Sequence, residues 1–169
     1  MRLYHLVSKS VLDRIKEVGY LEPRTETNDD FHPGVFIVCG AAPDFNEWKE
    51  YGLFETLTRK VKRGSNGVVI LSFPVSDENF YFREHAHISP KRFLELYGKD
   101  LWSIHMYGSD TAEIIGEEDY RNFQRQRDLY LSSWISGSEY DNSYSVPEVW
   151  YPDKVPLEKI KLEGMTAVG

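Results

Sequence analysis

The sequence has a single cysteine and no long apolar run. Cys39 is the single cysteine among 169 residues, so an internal disulfide is excluded and the redox compartment stays open. No apolar run reaches the about 20 residues that a membrane-spanning helix needs. The opening residues Met1 to His5 are not followed by the apolar stretch of a signal peptide. We therefore expect a cytoplasmic protein that has no membrane partner.

Positive charge is also in short supply. The chain has 20 Lys and Arg against 27 Asp and Glu, which gives a formal net charge of −7. That balance argues against broad binding to nucleic acid phosphates, although a local basic patch remains compatible with it. The sequence contains no Ser-His-Asp order, phosphate-binding loop, dinucleotide glycine fingerprint or zinc-ligand spacing.

Aromatic residues, in contrast, are abundant. The chain has 11 Tyr, 9 Phe and 4 Trp, together 14% of the sequence, and 41% of all residues are hydrophobic. This composition suits a sizeable core or a pocket that stacks on flat rings. The length fits one domain, which we expect to span residues 1–169.

Local patterns in the first half predict alternating strands and helices. Leu3, His5 and Val7 share one face of a first strand, because side chains alternate along a strand. The predicted elements are a strand at Arg2–Val7, a helix capped by Ser10 and ended by Gly19, a strand at Val35–Val38, a helix from Asp44 that Gly52 interrupts, and a strand at 68–73 that is covered on both faces.

The second half predicts two further helices and a late strand. Ser89 and Pro90 can begin a helix that Gly98 ends. The remaining predicted elements are a helix at 117–134, a polar loop at 137–145, a strand at 146–151 and a short strand at 160–162. Pro147 suggests an edge strand or an irregular start. The mixed order predicts an α+β fold.

Three segments, taken in order, resemble the ADP-ribosyltransferase fold. They are Tyr4–Ser8, Pro33–Ile37 with the following aromatic helix Phe45–Tyr51, and Pro147–Asp153. Together they are similar to the His-Tyr-Glu branch, which includes the poly-ADP-ribose polymerases, diphtheria-type toxins and DarT-type DNA-modifying toxins. The resemblance spans nearly the whole chain and implies two small antiparallel sheets that form a central cleft with flanking helices.

The same resemblance implies how NAD is held. His5 would bind the adenosine-side ribose, and the Ser8 hydroxyl would add a contact. Phe36 on the second strand would hold the nicotinamide ring together with an aromatic from the next helix, either Trp48 or Tyr51. Stacking on such rings is worth about 0.5–1.5 kcal/mol beyond burial.

Glu148 would be the catalytic residue. Breaking the bond between nicotinamide and ribose creates an oxocarbenium-like centre, as in glycoside hydrolysis. A carboxylate fixed beside the ribose holds its 2′-hydroxyl and stabilises the developing charge. We expect His5, Phe36 and Glu148 to converge on one groove, and the activity to be transfer of ADP-ribose from NAD to a protein or nucleic acid. A toxin setting would be compatible, with an antitoxin or other protein as partner.

Two other functions remain open. Phe36 replaces the family's usual tyrosine, and Val7 stands where serine or threonine often follows the histidine. These departures favour a non-catalytic domain of the same fold that acts as an interaction module. The third possibility is an RNA 2′-phosphotransferase-like enzyme, which also consumes NAD but needs a basic phosphate pocket.

Each candidate residue also has a structural interpretation. His5, Phe36, Trp48 and Tyr51 can be core residues, and Glu148 can be a solvent-facing strand residue. His85 and His87 alternate on a possible strand and could offer two metal ligands. The sequence supplies no nearby cysteine or clear carboxylate partner for them, so we predict no metal site.

Overall fold

The computed structural model describes residues 1–22, 38–42, 44–62, 67–75, 79–103 and 116–166. The helices are α1 (Lys9–Val18), α2 (Asn46–Glu50), α3 (Leu53–Lys62), α4 (Pro90–Tyr97) and α5 (Glu117–Ser132). The strands are β1 (Arg2–Ser8), β2 (Tyr20–Leu21), β3 (Val38–Ala41), β4 (Val68–Pro74), β5 (Tyr81–Glu84), β6 (Ile135–Ser136), β7 (Pro147–Tyr151), β8 (Val155–Pro156) and β9 (Lys161–Thr166). Single 3-10 turns lie at His85–Ile88 and Leu157–Lys159.

Seven strands form one sheet in the order β6-β5-β7-β3-β1-β4-β9, and β2 pairs with β8 in a separate two-stranded sheet. All of the described strand pairs are antiparallel. The prediction of an α+β fold is confirmed. The expectation of two small sheets is wrong for the described residues, because β1 pairs with both β3 and β4 and so joins the strands into one large sheet.

The large sheet has a different layer on each face. On one face, which we call the α1 face, Leu3 and Val7 pack with Leu12 and Ile15 of α1. On the other, which we call the four-helix face, residues of α2, α3, α4 and α5 form a second core with Leu6 and Ala41. The members of that second core include Phe45, Trp48, Leu53, Phe93, Phe123 and Tyr130. Residues from both faces of the sheet are therefore buried.

The ends of α1 show which local signals decided its bounds. Ser8, not Ser10, is the N-cap, and its Oγ accepts a hydrogen bond from the Val11 amide at 3.3 Å. Gly19 ends the helix at φ 89°, a backbone conformation that glycine adopts without strain. Leu12 and Ile15 form the buried face of α1, whereas Val11 is 40% exposed.

The other helix predictions agree closely with the structure. Asp44 Oδ1 accepts a hydrogen bond from the Asn46 amide at the start of α2. Gly52 separates α2 from α3 at φ 80°. Ser89 caps α4 through its Oγ, Pro90 is its first residue, and Gly98 ends it. Among the described residues, no helix is long and apolar enough to cross a membrane.

Two strand predictions need correction. β7 lies between β5 and β3 in the interior of the sheet, so Pro147 does not mark an edge strand. Pro147 is the first residue of β7, where a missing amide hydrogen is tolerated. The described part of the second strand begins only at Val38, and 35–37 lie outside the described residues.

At Gly40 an added Cβ would stand 2.1 Å from the carbonyl oxygen of Tyr4, so the β1–β3 contact requires glycine.

Candidate functional site

β7 places the Glu148 carboxylate inside the four-helix face of the sheet. Glu148 and Trp150 point to the same face because they are two residues apart on one strand. Arg83 of β5 lies directly across from Glu148, and Ala41 of β3 lies across on its other side. Glu148 is only 3% exposed, so the interpretation of a solvent-facing strand residue is wrong.

Three side chains surround the Glu148 carboxylate. The Tyr130 hydroxyl of α5 donates a hydrogen bond to Oε1 at 2.5 Å, and Trp150 Nε1 donates to the same oxygen at 2.7 Å. His85 Nε2 lies 3.3 Å from Oε2. An ionised carboxylate has about four acceptor positions. Within the described residues, these three groups leave about one position, on Oε2, for a further donor.

A second buried carboxylate, Glu84, fixes the backbone next to this cluster. Its Oε1 accepts hydrogen bonds from the amides of Ala86 at 3.2 Å and Val146 at 2.8 Å, and its Oε2 accepts one from Ser145 at 2.6 Å. The His85 amide also donates to the Val146 carbonyl at 3.0 Å. The 3-10 turn that carries His85 is thereby tied to the chain that enters β7.

Arg83 supplies the positive charge of the cluster. Its guanidinium carbon lies 4.9 Å from the Tyr130 ring centroid, 4.8 Å from that of Trp134 and 5.2 Å from that of Trp150. Arg83 is 2% exposed, and cation–π contacts are strongest when both groups are shielded from water. The buried cation and the buried carboxylate are cross-strand neighbours, so neither charge is isolated.

The structure distinguishes between the two aromatic candidates on the second helix. Trp48 is 2% exposed, and its ring centroid lies 5.0 Å from that of His85. Trp48 Nε1 and His85 Nδ1 have no hydrogen-bond partner within the described residues. Tyr51 is half-buried and lies under Lys91 Nζ, 4.5 Å from the ring centroid. Trp48 is therefore the candidate that adjoins the Glu148 cluster.

His5 and Glu148 are not brought together. Tyr4 pairs with Ala41, and Ala41 pairs with Glu148, so these three residues share one face of the sheet. His5 is the next residue along β1 and lies on the opposite face with Leu3 and Val7. The expectation that His5 and Glu148 line one groove is wrong, because the strand alternation separates them.

The remaining predicted site residues have other placements. The Ser8 hydroxyl caps α1 and lies 2.9 Å from the Ser10 hydroxyl. Phe36 lies outside the described residues, so its predicted contact with nicotinamide stays a prediction. His85 and His87 lie in a 3-10 turn and not on a strand. Within the described part of the chain, no group of three or more His, Cys, Asp or Glu is placed to hold a metal ion.

Sequence reasoning missed most of the partners of Glu148. Trp150 could have been identified, because strand alternation places it beside Glu148. Tyr130 and Arg83 come from elements 18 and 65 residues away, and no local pattern connects them to β7. The sequence pattern presents His85 only as a possible metal ligand, whereas the structure places it against the carboxylate.

No protein-family model, curated protein or solved structure matches the chain. The geometry of the Glu148 cluster is therefore what indicates a function.

Proposed function

We propose that the protein transfers ADP-ribose from NAD to a macromolecular acceptor, protein or nucleic acid, with Glu148 as the catalytic residue. The observation that carries this proposal is the environment of the Glu148 carboxylate. Among the described residues, Tyr130, Trp150 and His85 surround it and leave about one acceptor position on Oε2. A ribose 2′-hydroxyl is a donor of the kind that this position can accept.

Strand order gives further support. The strands that carry the first and third segments of the resemblance, β1 and β7, both border β3, which follows the second segment along the chain. Neighbouring strands lie about 4.8 Å apart, so residues from β3 and β7 on one face can contact the same ligand. Trp48, on the helix after β3, lies within the same cluster.

The reaction would follow from the charges present. The bond between ribose C1′ and the nicotinamide ring nitrogen breaks, and its electron pair neutralises the positive ring. C1′ becomes oxocarbenium-like and bonds to the acceptor nucleophile, which releases its proton to the solvent. A fixed carboxylate stabilises that developing positive charge without reorganising. Since Glu148 is buried, the ribose reaches it only after a covering side chain moves. His5 has no part in this proposal, because it lies on the other face.

An interaction module of related fold is the second candidate, and one observation favours it. Glu148 has three internal partners and 3% exposure, which is also the environment of a carboxylate that only stabilises a core. This candidate predicts that NAD binding is weak or absent.

Calorimetric titration with NAD separates the two candidates. We expect measurable heat, together with quenching of tryptophan fluorescence that Trp48→Phe reduces more than Trp134→Phe does. Trp134→Phe is the comparison variant because the Trp134 ring stacks on Tyr81 and packs against Arg83, whereas the Trp48 ring packs against His85. The absence of both heat and a thermal shift at millimolar NAD would contradict the enzyme proposal and favour the interaction module.

A further inference from the structure

We infer that His85 is a positioning residue: its Nε2–H holds Oε2 of Glu148 in the orientation that a substrate hydroxyl requires. This inference rests on the proposed function, because that function supplies the substrate hydroxyl. The contact between His85 and Glu148 can itself be tested without NAD. Nothing in the sequence patterns pointed to it, because the two residues are far apart along the chain and meet only through the pairing of β5 with β7.

Different side chains contact the two oxygens of the Glu148 carboxylate. Tyr130 and Trp150 both donate to Oε1 and leave Oε2 without either of them. His85 is the group that reaches Oε2, at 3.3 Å between Nε2 and the oxygen. Without His85, the carboxylate could swing about the Oε1 bonds, and the position of Oε2 would no longer be fixed.

The imidazole is itself held on several sides. Trp48, Trp102 and Tyr130 lie around it, with ring centroids 5.0, 5.8 and 5.4 Å away. Its backbone is tied by the 3.0 Å bond from the His85 amide to Val146. A side chain this constrained can transmit its position to Glu148, as the partners of catalytic groups generally do.

The tautomer follows from the same geometry. An Nε2 atom that faces a carboxylate oxygen must carry the proton, because two acceptors would repel each other. Nδ1 has no hydrogen-bond partner within the described residues, so nothing described there competes for the proton. His85 therefore carries hydrogen on Nε2.

Two substitutions distinguish a positioning role from simple packing. His85→Gln can present an amide N–H near the original Nε2 position, whereas His85→Phe keeps the ring volume and removes the donor. We expect His85→Phe to lower kcat by about 100-fold with little change in KM, as for a small displacement of a reacting group. His85→Gln should restore most of that loss. His87→Gln, in the same turn but without contact to Glu148, is the matched control and should behave as wild type.

The second readout is a long-range ¹H–¹⁵N spectrum of the histidine side chains, recorded without NAD. We expect a proton on Nε2 of His85 and a changed Nε2 signal in Glu148→Gln, while the His87 signals stay in place. A bare Nε2, or a His85 signal that ignores Glu148→Gln, overturns the inference. Equal kcat for His85→Phe and wild type also overturns it. If the wild-type protein shows no turnover, the proposed function is wrong. The spectrum then tests by itself whether His85 contacts Glu148.

Discussion

Glu84 and Glu148 are two buried carboxylates with different partners. Glu84 accepts three backbone amide hydrogen bonds, whereas Glu148 is surrounded by side chains. Backbone amides are held in place by the fold, so Glu84 is suited to fixing the path of the chain. Within the part of the chain that the structure describes, the side-chain partners of Glu148 leave about one acceptor position on Oε2, which is the position that the proposal assigns to a ligand.

Replacing Glu84 therefore tests structure more than chemistry. In Glu84→Gln one carboxylate oxygen becomes an NH₂ group, which faces an amide donor and leaves it buried without an acceptor. We expect the free energy of unfolding to fall by about 2–4 kcal/mol, since a hydrogen bond to a charged group contributes roughly 1.5–3 kcal/mol. Urea denaturation measures this. Glu139→Gln, at an exposed position, is the control. If both variants lose the same free energy of unfolding, Glu84 does not stabilise the chain path through its hydrogen bonds.

The 3-10 turn His85–Ile88 contains two histidines in different surroundings. His85 is buried against Glu148, whereas His87 is half-buried. Desolvation lowers the pKa of His87 from its ordinary value of 6.5, and the positive charge of Arg92 lowers it further, while Glu84 acts in the opposite direction. The folded protein thus keeps His87 neutral where the unfolded chain takes up a proton.

This difference predicts a loss of stability in acid. Above pH 6.5 both states hold His87 neutral, and the shift contributes nothing. As the pH falls below 6.5, the unfolded state binds more protons, so the free energy of unfolding decreases. We expect His87→Gln to lose less stability than wild type between pH 7 and pH 5, measured by thermal unfolding at each pH. Parallel profiles for the two proteins would show that His87 does not contribute.

Elements with strong local signals were predictable, and the reason is physical. The bounds of α4 follow from Ser89, Pro90 and Gly98, since caps act within one turn of the helix end. α1 shows the limit: Ser8 and Ser10 both lie at the start of the helix, and only the structure shows that the Ser8 hydroxyl accepts the Val11 amide. β8 has two residues and forms only through its pairing with β2, so no local pattern indicates it.

At the scale of the whole molecule, strand order decides what the candidate site contains. The sequence predicted that Glu148 lies on a strand, but not that β7 is interior or that β5 is its neighbour. Those two facts bring Arg83 and His85 to Glu148 and cover the carboxylate. They also place His5 on the opposite face, because one residue along β1 changes the face. The pairing of distant segments determines which residues contact Glu148, and the residue types alone do not.

One substitution removes the charge of Glu148 and keeps its other contacts. Glu148→Gln keeps the size of the side chain and an oxygen that can accept from Tyr130 and Trp150. It removes the negative charge that would stabilise the oxocarbenium-like centre. Glu158→Gln is the matched control, because Glu158 lies exposed in the turn Leu157–Lys159.

The most direct measurement is the release of nicotinamide from NAD by wild type, Glu148→Gln and Glu158→Gln, with and without cell extract as a source of acceptor. We expect turnover in wild type and Glu158→Gln, and a loss of about 100-fold or more in kcat for Glu148→Gln, with NAD affinity much less affected. Equal turnover in wild type and Glu148→Gln would contradict the catalytic role of Glu148.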